Sequence, residues 1–255
     1  MRNIWTICRK ELKSYFASPI AYILMAMFAV IFGFFFWNAV GYFVNMSLQS
    51  QMMGRSFPMD INEMIIRPLL MNVSVIGLFL IPLISMRLFA EEKRSGTVEL
   101  LLTSPVYDWE IIIGKWLAAV MLYGTLLLIT ALNFIFLFAH GKPDWKPLLV
   151  GYLGLLLQAG ALLAIGTFIS TTTRNQIIAG AATFGVCLLL WVFEWVAGYE
   201  TATWAKVMAY MSVVAHFEPF SKGVIDSKDA IFFISLAFFG LFLSARSLES
   251  LRWRA

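Results

Sequence analysis

Charge is scarce in this sequence: Asp, Glu, Lys and Arg make up 13% of 255 residues, about half the share of an ordinary soluble domain. That scarcity excludes a single water-soluble domain. With 60% apolar side chains there is too little polar surface to cover a core, whereas a bilayer accepts an apolar exterior. Histidine and cysteine are scarcer still. His140 and His216 join no Cys, Asp or Glu at metal-ligand spacing, so zinc catalysis has no support. Cys8 and Cys187 lie far apart and outline neither a disulfide framework nor a redox motif. No GxxxxGK[ST] phosphate loop occurs: the nearest fragment, His140-Gly141-Lys142-Pro143, lacks the first glycine and the following Ser or Thr. The net charge of +4 is too small and too scattered for a nucleic-acid reader. An intramembrane enzyme would need paired carboxylates or a Ser/His/Asp set at membrane depth. Glu194 and His216 are the last candidates, and Glu194, beside Trp191 and Trp195, is expected at an interface rather than at a buried proton site.

Long apolar runs are what the chain has instead. A helix needs about 20 residues to cross hydrocarbon with its backbone satisfied internally, so charges mark the ends. The charge-free stretches predict an all-α integral membrane protein, one transmembrane domain over 1–255, with spans at about 20–44, 67–88, 109–139, 147–171, 176–196 and 229–247. Pro68 suits a first helical turn and Pro82 a kink in the second span. Asp108 is expected to cap the third span with Glu110 in its first turn, and Lys115, just inside that span, to snorkel to the interface. Gly160, Ala164 and Gly166 on span 4, and Ala181 and Gly185 on span 5, permit close helix approach. Asn72, Ser74, Asn133 and Gln158 are expected between helices or along a pathway. No inverted repeat supports a secondary transporter of that build.

Near the span ends, twelve Lys and Arg fall on the side of the termini and seven on the other. Both termini are therefore expected in the cytoplasm, with the chain in the cell (inner) membrane. The first apolar run is too long and begins too late for a cleaved signal, so its retention is expected.

Three segments are not spans. Residues 1–19 read as an interfacial helix, with Ile4, Trp5, Cys8, Leu12, Tyr15 and Phe16 on one face and Arg9, Lys10 and Lys13 on the other arc. It is either a positive anchor or an element that also touches a cytoplasmic partner. Between spans 2 and 3, Glu91, Glu92, Lys93 and Arg94 form a mixed cluster and Gly96 permits a sharp bend. A short helix over Thr97–Thr103 follows, with Val98, Leu101 and Leu102 as its apolar face. Such an element either docks into a groove on another protein or lies on headgroups. Residues 47–64 read as a polar loop with a short helix of its own. Residues 199–229, with His216, Glu218 and Lys222, read as a helix that dips into the membrane and turns back. His216 and Glu218 are either gate or substrate contacts or, the ordinary role of such residues, solvated anchors among headgroups.

Three motifs carry a resemblance that covers nearly the whole chain. They are IxRKELKSYFxSPxAY at 7–22, FAEEKRSGTVELLLTSPV at 89–106 followed by WxxxxGK at 109–115, and HFEPFSKGVIDSKD at 216–229. With them the chain resembles the membrane subunit of an ABC-2-type exporter of the type V kind, in the gliding-motility (GldF-like) and NosY-like branch. The resemblance implies an N-terminal connecting helix, a coupling helix at about 91–103, and a re-entrant segment before span 6. It assigns ATPase coupling to Glu91, Glu92, Lys93, Arg94, Gly96, Thr97 and Glu99, and makes His216, Glu218 and Lys222 gate candidates. The implied partners are a separate cytoplasmic ABC ATPase that binds the ATP, a second copy or a related permease, and membrane lipid. No cofactor, metal or nucleic acid is expected on this chain. Spans 2 and 5 would line a pathway for a substrate the sequence does not specify. The alternative is a mechanotransmission subunit that moves an extracytoplasmic partner protein. Gly96→Pro or Glu92→Lys is expected to uncouple such a machine while leaving insertion intact.

Overall fold

The computed structural model describes residues 2–53, 60–98, 105–141, 143–199 and 203–252, and these form helices and turns without a strand. Helix α1 (Arg2–Ala17) ends at Ser18. The Ser18 hydroxyl accepts the Ile20 N–H at 3.4 Å, and Pro19 takes the first position of α2 (Pro19–Met52), where a missing N–H costs nothing. Helix α2 continues past its apolar stretch to Met52, because no Gly or Pro interrupts the chain between Gly41 and Met53. One wide turn, Asn62–Ile66, runs directly into α3 (Arg67–Ser85). Pro82 brings α3 to its end within one turn, and a bend leads to α4 (Ala90–Ser95).

Helix α5 (Asp108–His140) begins one residue earlier than the sequence suggests. Tyr107 stands in the capping position and its N–H donates to the Glu110 carboxylate at 3.3 Å, while Asp108 is the first helical residue. Helices α6 (Trp145–Thr172), α7 (Gln176–Tyr199), α8 (Thr203–Tyr210), α9 (Val213–Ser221) and α10 (Ser227–Arg252) complete the described chain. Among the described residues, six helical segments are long and apolar enough to cross a membrane: α2, the run Asn62–Ser95 built on α3, α5, α6, Gln176–Trp195 of α7 and Ser227–Leu251 of α10.

The helix α6 is the axis of the bundle, packed by α10, α3, α9, α5 and α7. Its glycines explain how: a Cβ on Gly151 would stand 2.4 Å from Leu70, on Gly154 2.5 Å from Phe220, and on Gly166 2.3 Å from Ser85. Ser74 and Gln158, both buried, meet at 2.8 Å between α3 and α6, while Asn72 and Asn133 are half-buried. The small residues of α7 behave differently from expectation. Ala181 is exposed, and Gly185 has nothing within 4 Å of where a Cβ would lie. In the most apolar windows of α2 and α7 only 22% of the residues are buried, against 61% for α3 and α6, so these two helices form the periphery. Helix α2 docks by aromatic contacts, Phe32 with Phe134 at 5.8 Å and Phe36 with Phe136 at 6.4 Å.

Candidate functional site

The segments that are not spans gather at the two ends of the bundle. At one end α1 lies along the start of α5. Ile4, Ile7, Cys8, Leu12 and Tyr15 turn inward, whereas Trp5 is exposed with Arg9, Lys10 and Lys13. The approach is close, since a Cβ on Gly114 would lie 2.9 Å from the Ile7 Cβ and 3.0 Å from the Ile4 carbonyl oxygen. Tyr15 donates its hydroxyl to the Ile84 carbonyl at 3.0 Å. Burial pushes this phenol far up, so it remains a donor at any physiological pH.

Lys115 does not snorkel. It is 1% exposed, with its ammonium 2.9 Å from Glu11 and 2.8 Å from Glu92, and it stands 5.2 Å over the Phe89 ring. Helices α1 and α4 cover the start of the span and supply the counter-ions that headgroup water would otherwise provide. The second Glu92 oxygen is buried without a hydrogen-bond partner among the described residues. One ammonium of span 3 thus ties together the N-terminal helix and α4.

The start of α4 is held by a residue from α6. The Ser170 hydroxyl accepts the N–H groups of Phe89 and Ala90, both at 3.0 Å, and donates to the Met86 carbonyl at 3.2 Å, which uses all of its hydrogen-bonding capacity. Lys93 donates to the Thr171 carbonyl. Arg87 pairs with Glu91 at 2.8 Å. Gly96 ends the helix at φ 75°, a conformation that side chains oppose.

The coupling candidates therefore separate. Glu91, Glu92 and Lys93 are half-buried and tether α4 to the bundle, whereas Arg94, Ser95, Gly96 and Thr97 are exposed. Glu99 and the expected helix after Gly96, from residue 99 onward, lie outside the described residues. Ser170→Ala should cost about 2 kcal/mol, because two helix-start donors lose their only acceptor in a buried place. Thermal unfolding in nanodiscs, with faster hydrogen exchange in α4, checks this.

At the opposite end, α8 and α9 break at Met211–Ser212, and the Ser212 hydroxyl caps α9 by accepting the Ala215 N–H at 3.3 Å. His216 is not a solvated anchor. It is 5% exposed, 2.6 Å from Asp229 and 2.7 Å from the Tyr210 carbonyl, and its ring stacks on Phe232 at 3.9 Å. Glu218 is half-exposed and accepts from Lys222 at 2.8 Å and from Arg67 at 2.9 Å. Those two cations, Lys222 first, hold its carboxyl below the usual range. Gly223 turns the chain at φ 79° against Pro147. Glu194 is half-buried beside the Trp191 and Trp195 rings, which lie 4.8 Å apart.

Glu11, Ser170, Arg67 and Asp229 are not evident in the sequence as site residues. The signal it does carry is Lys115 itself, because an ammonium inside a span calls for a counter-ion.

Comparison with known proteins gives the same picture of a polytopic membrane chain. The family described as "ABC-2 family transporter protein" matches residues 5–225. Two proteins, from Escherichia coli K12 and from Escherichia coli O157:H7, each called "Probable multidrug ABC transporter permease YbhR", are 24% identical to it over 179 residues, covering 68% of this chain and 46% of theirs. The chain spans about half the length of the curated relatives it matches. With the family match extending over most of its length and six apolar helices in its fold, this all-α integral membrane chain belongs to the ABC-2 transporter family.

Proposed function

We propose that this chain is the membrane-spanning permease subunit of an ATP-driven ABC exporter, worked by a separate cytoplasmic ATPase that pushes on α4 and α1. The observation that carries this reading is the buried Glu11–Lys115–Glu92 cluster, in which one side chain of a span fastens both elements. A push on either reaches α5 through a rigid contact, as a two-state bundle driven from outside requires. The sequence has no phosphate loop, so ATP would bind to the partner. The Lys and Arg bias supports a cytoplasmic position for the α1–α4 end. A second copy or a related permease would complete the pathway, and the peripheral α2 and α7 are the surfaces free to meet it.

The structure changes which mutations test this. Glu92→Lys would put a second ammonium beside Lys115 in a buried place, so it should damage the fold rather than only uncouple. Arg94, exposed on α4, is the better probe. Arg94→Glu should lower ATPase activity supported by this chain about tenfold without moving its unfolding midpoint. The measurement is vanadate-sensitive hydrolysis by the co-expressed pair in nanodiscs. Hydrolysis at the native level would remove α4 as the docking face.

A further inference from the structure

Away from the α1–α4 joint, His216 and Asp229 form a closed pair that the transport reading does not use. The imidazole Nδ1 lies 2.6 Å from the Asp229 Oδ1, and Nε2 lies 2.7 Å from the Tyr210 carbonyl oxygen. A carbonyl only accepts, so Nε2 carries a hydrogen. Between Nδ1 and the carboxylate a second proton must lie, on the ring or on the acid. That is one proton more than a neutral imidazole and an ionised carboxylate hold between them.

The setting keeps that proton in place. His216 is 5% and Asp229 1% exposed. Phe232 stacks on one face of the ring, and Tyr210 and Phe233 meet it edge-on. The Asp229 Oδ2 is buried without a hydrogen-bond partner among the described residues.

The charged groups on the packed elements are largely matched among themselves. Glu218 of the same helix pairs with Lys222 just past its end and with Arg67 of α3, and Lys228 of α10 pairs with Asp226 at 3.1 Å. Glu194 of α7 lies within electrostatic reach of Glu218, α8 contributes the Tyr210 phenol and an exposed Lys206, and the ionisable residues of α6 are Lys146 and Tyr152.

We propose that the His216–Asp229 pair is a proton-binding site whose second proton latches α9 to both α8 and α10. Loss of that proton leaves either Nδ1 bare against the carboxylate or Nε2 bare against the Tyr210 carbonyl, two lone pairs facing each other at hydrogen-bond distance. One of the two latches then opens. The folded pair binds more protons than the opened one, so the closed form weakens as pH rises.

Two measurements on the full chain in nanodiscs test this. In a His140→Gln background with 15N-labelled histidine, at pH 7.5, we expect either both ring nitrogens protonated, or one together with an infrared band of a protonated acid that disappears in Asp229→Asn. A ring with a single N–H beside an ionised Asp229 overturns the proposal. Between pH 7 and 9.5, hydrogen-exchange protection in α9, corrected for intrinsic rates, should fall by up to about tenfold per pH unit. Asp229→Asn should abolish that slope, because the amide N–H donates to a bare Nδ1 while the neutral ring still donates Nε2–H to Tyr210. A flat native profile, or an Asp229→Asn slope equal to the native one, overturns it as well.

Discussion

Replacing Lys115 by methionine is expected to lower stability by about 3–5 kcal/mol, the cost of leaving a buried charge without its partner. Methionine keeps the volume of the stem, so packing changes little. What is lost is the ammonium shared by Glu11 and Glu92, whose side chains are only 15% and 18% exposed. The two carboxylates would then face each other across a dry gap, with Glu92 already carrying one unpartnered oxygen. Either the acids take up protons or α1 and α4 swing out to hydrate them. Both outcomes loosen the tie between the N-terminal helix and the rest of the chain. Thermal unfolding in nanodiscs gives the energy, and hydrogen exchange in α1 and α4 shows where the loss falls. Adding Glu11→Gln and Glu92→Gln to Lys115→Met should recover most of it, because a neutral cluster needs no counter-ion. A Lys115→Met loss under about 1 kcal/mol would show that water reaches the cluster and that the tie is weak.

Apolar run length makes the spans legible in the sequence, since hydrocarbon thickness leaves a helix little choice. The exposed side of α1 is legible through Arg9, Lys10 and Lys13, and the bend at Gly96 through its lack of a side chain. Tertiary partners are not. Nothing near Lys115 in sequence announces Glu11, which sits 104 positions away, and the interface is the nearer destination that local pattern suggests for the ammonium. Ser170 reads as one hydroxyl among several at a span end, yet it caps a helix 80 residues earlier in the chain. His216 reads as a gate contact or a headgroup anchor, because Glu218 and Lys222 stand close to it in sequence. The burial comes from α10, whose Asp229 and Phe232 close over it. In each case the local pattern specifies the element and its polarity, and the missing term is which other helix lands on it.

That missing term is set largely by small residues, and the sharpest case is on α10. Gly240→Ala should cost about 3 kcal/mol, the upper end of the usual overpacking range. A Cβ there would lie 2.7 Å from the Ala164 carbonyl carbon, 2.8 Å from the Ile165 nitrogen and 2.9 Å from the Ala164 oxygen. All three are backbone atoms of the central helix, so no rotamer change relieves the clash and α10 must move away as a whole. Movement at this point reaches both ends of the helix. Toward its start it strains the Asp229–His216 contact, and toward its end the Ser247 hydroxyl bonded to the Thr171 carbonyl at 3.4 Å. Gly185→Ala is the matched control, because its Cβ would meet nothing within 4 Å and alanine favours a helix. Unfolding midpoints of the two variants should diverge, with Gly240→Ala well below the native chain and Gly185→Ala at or above it. Equal midpoints would mean that α6 and α10 are not in backbone contact. The matched chemistry of the two substitutions leaves interhelical distance as the only variable, so a divergence measures the close approach on which the central packing depends.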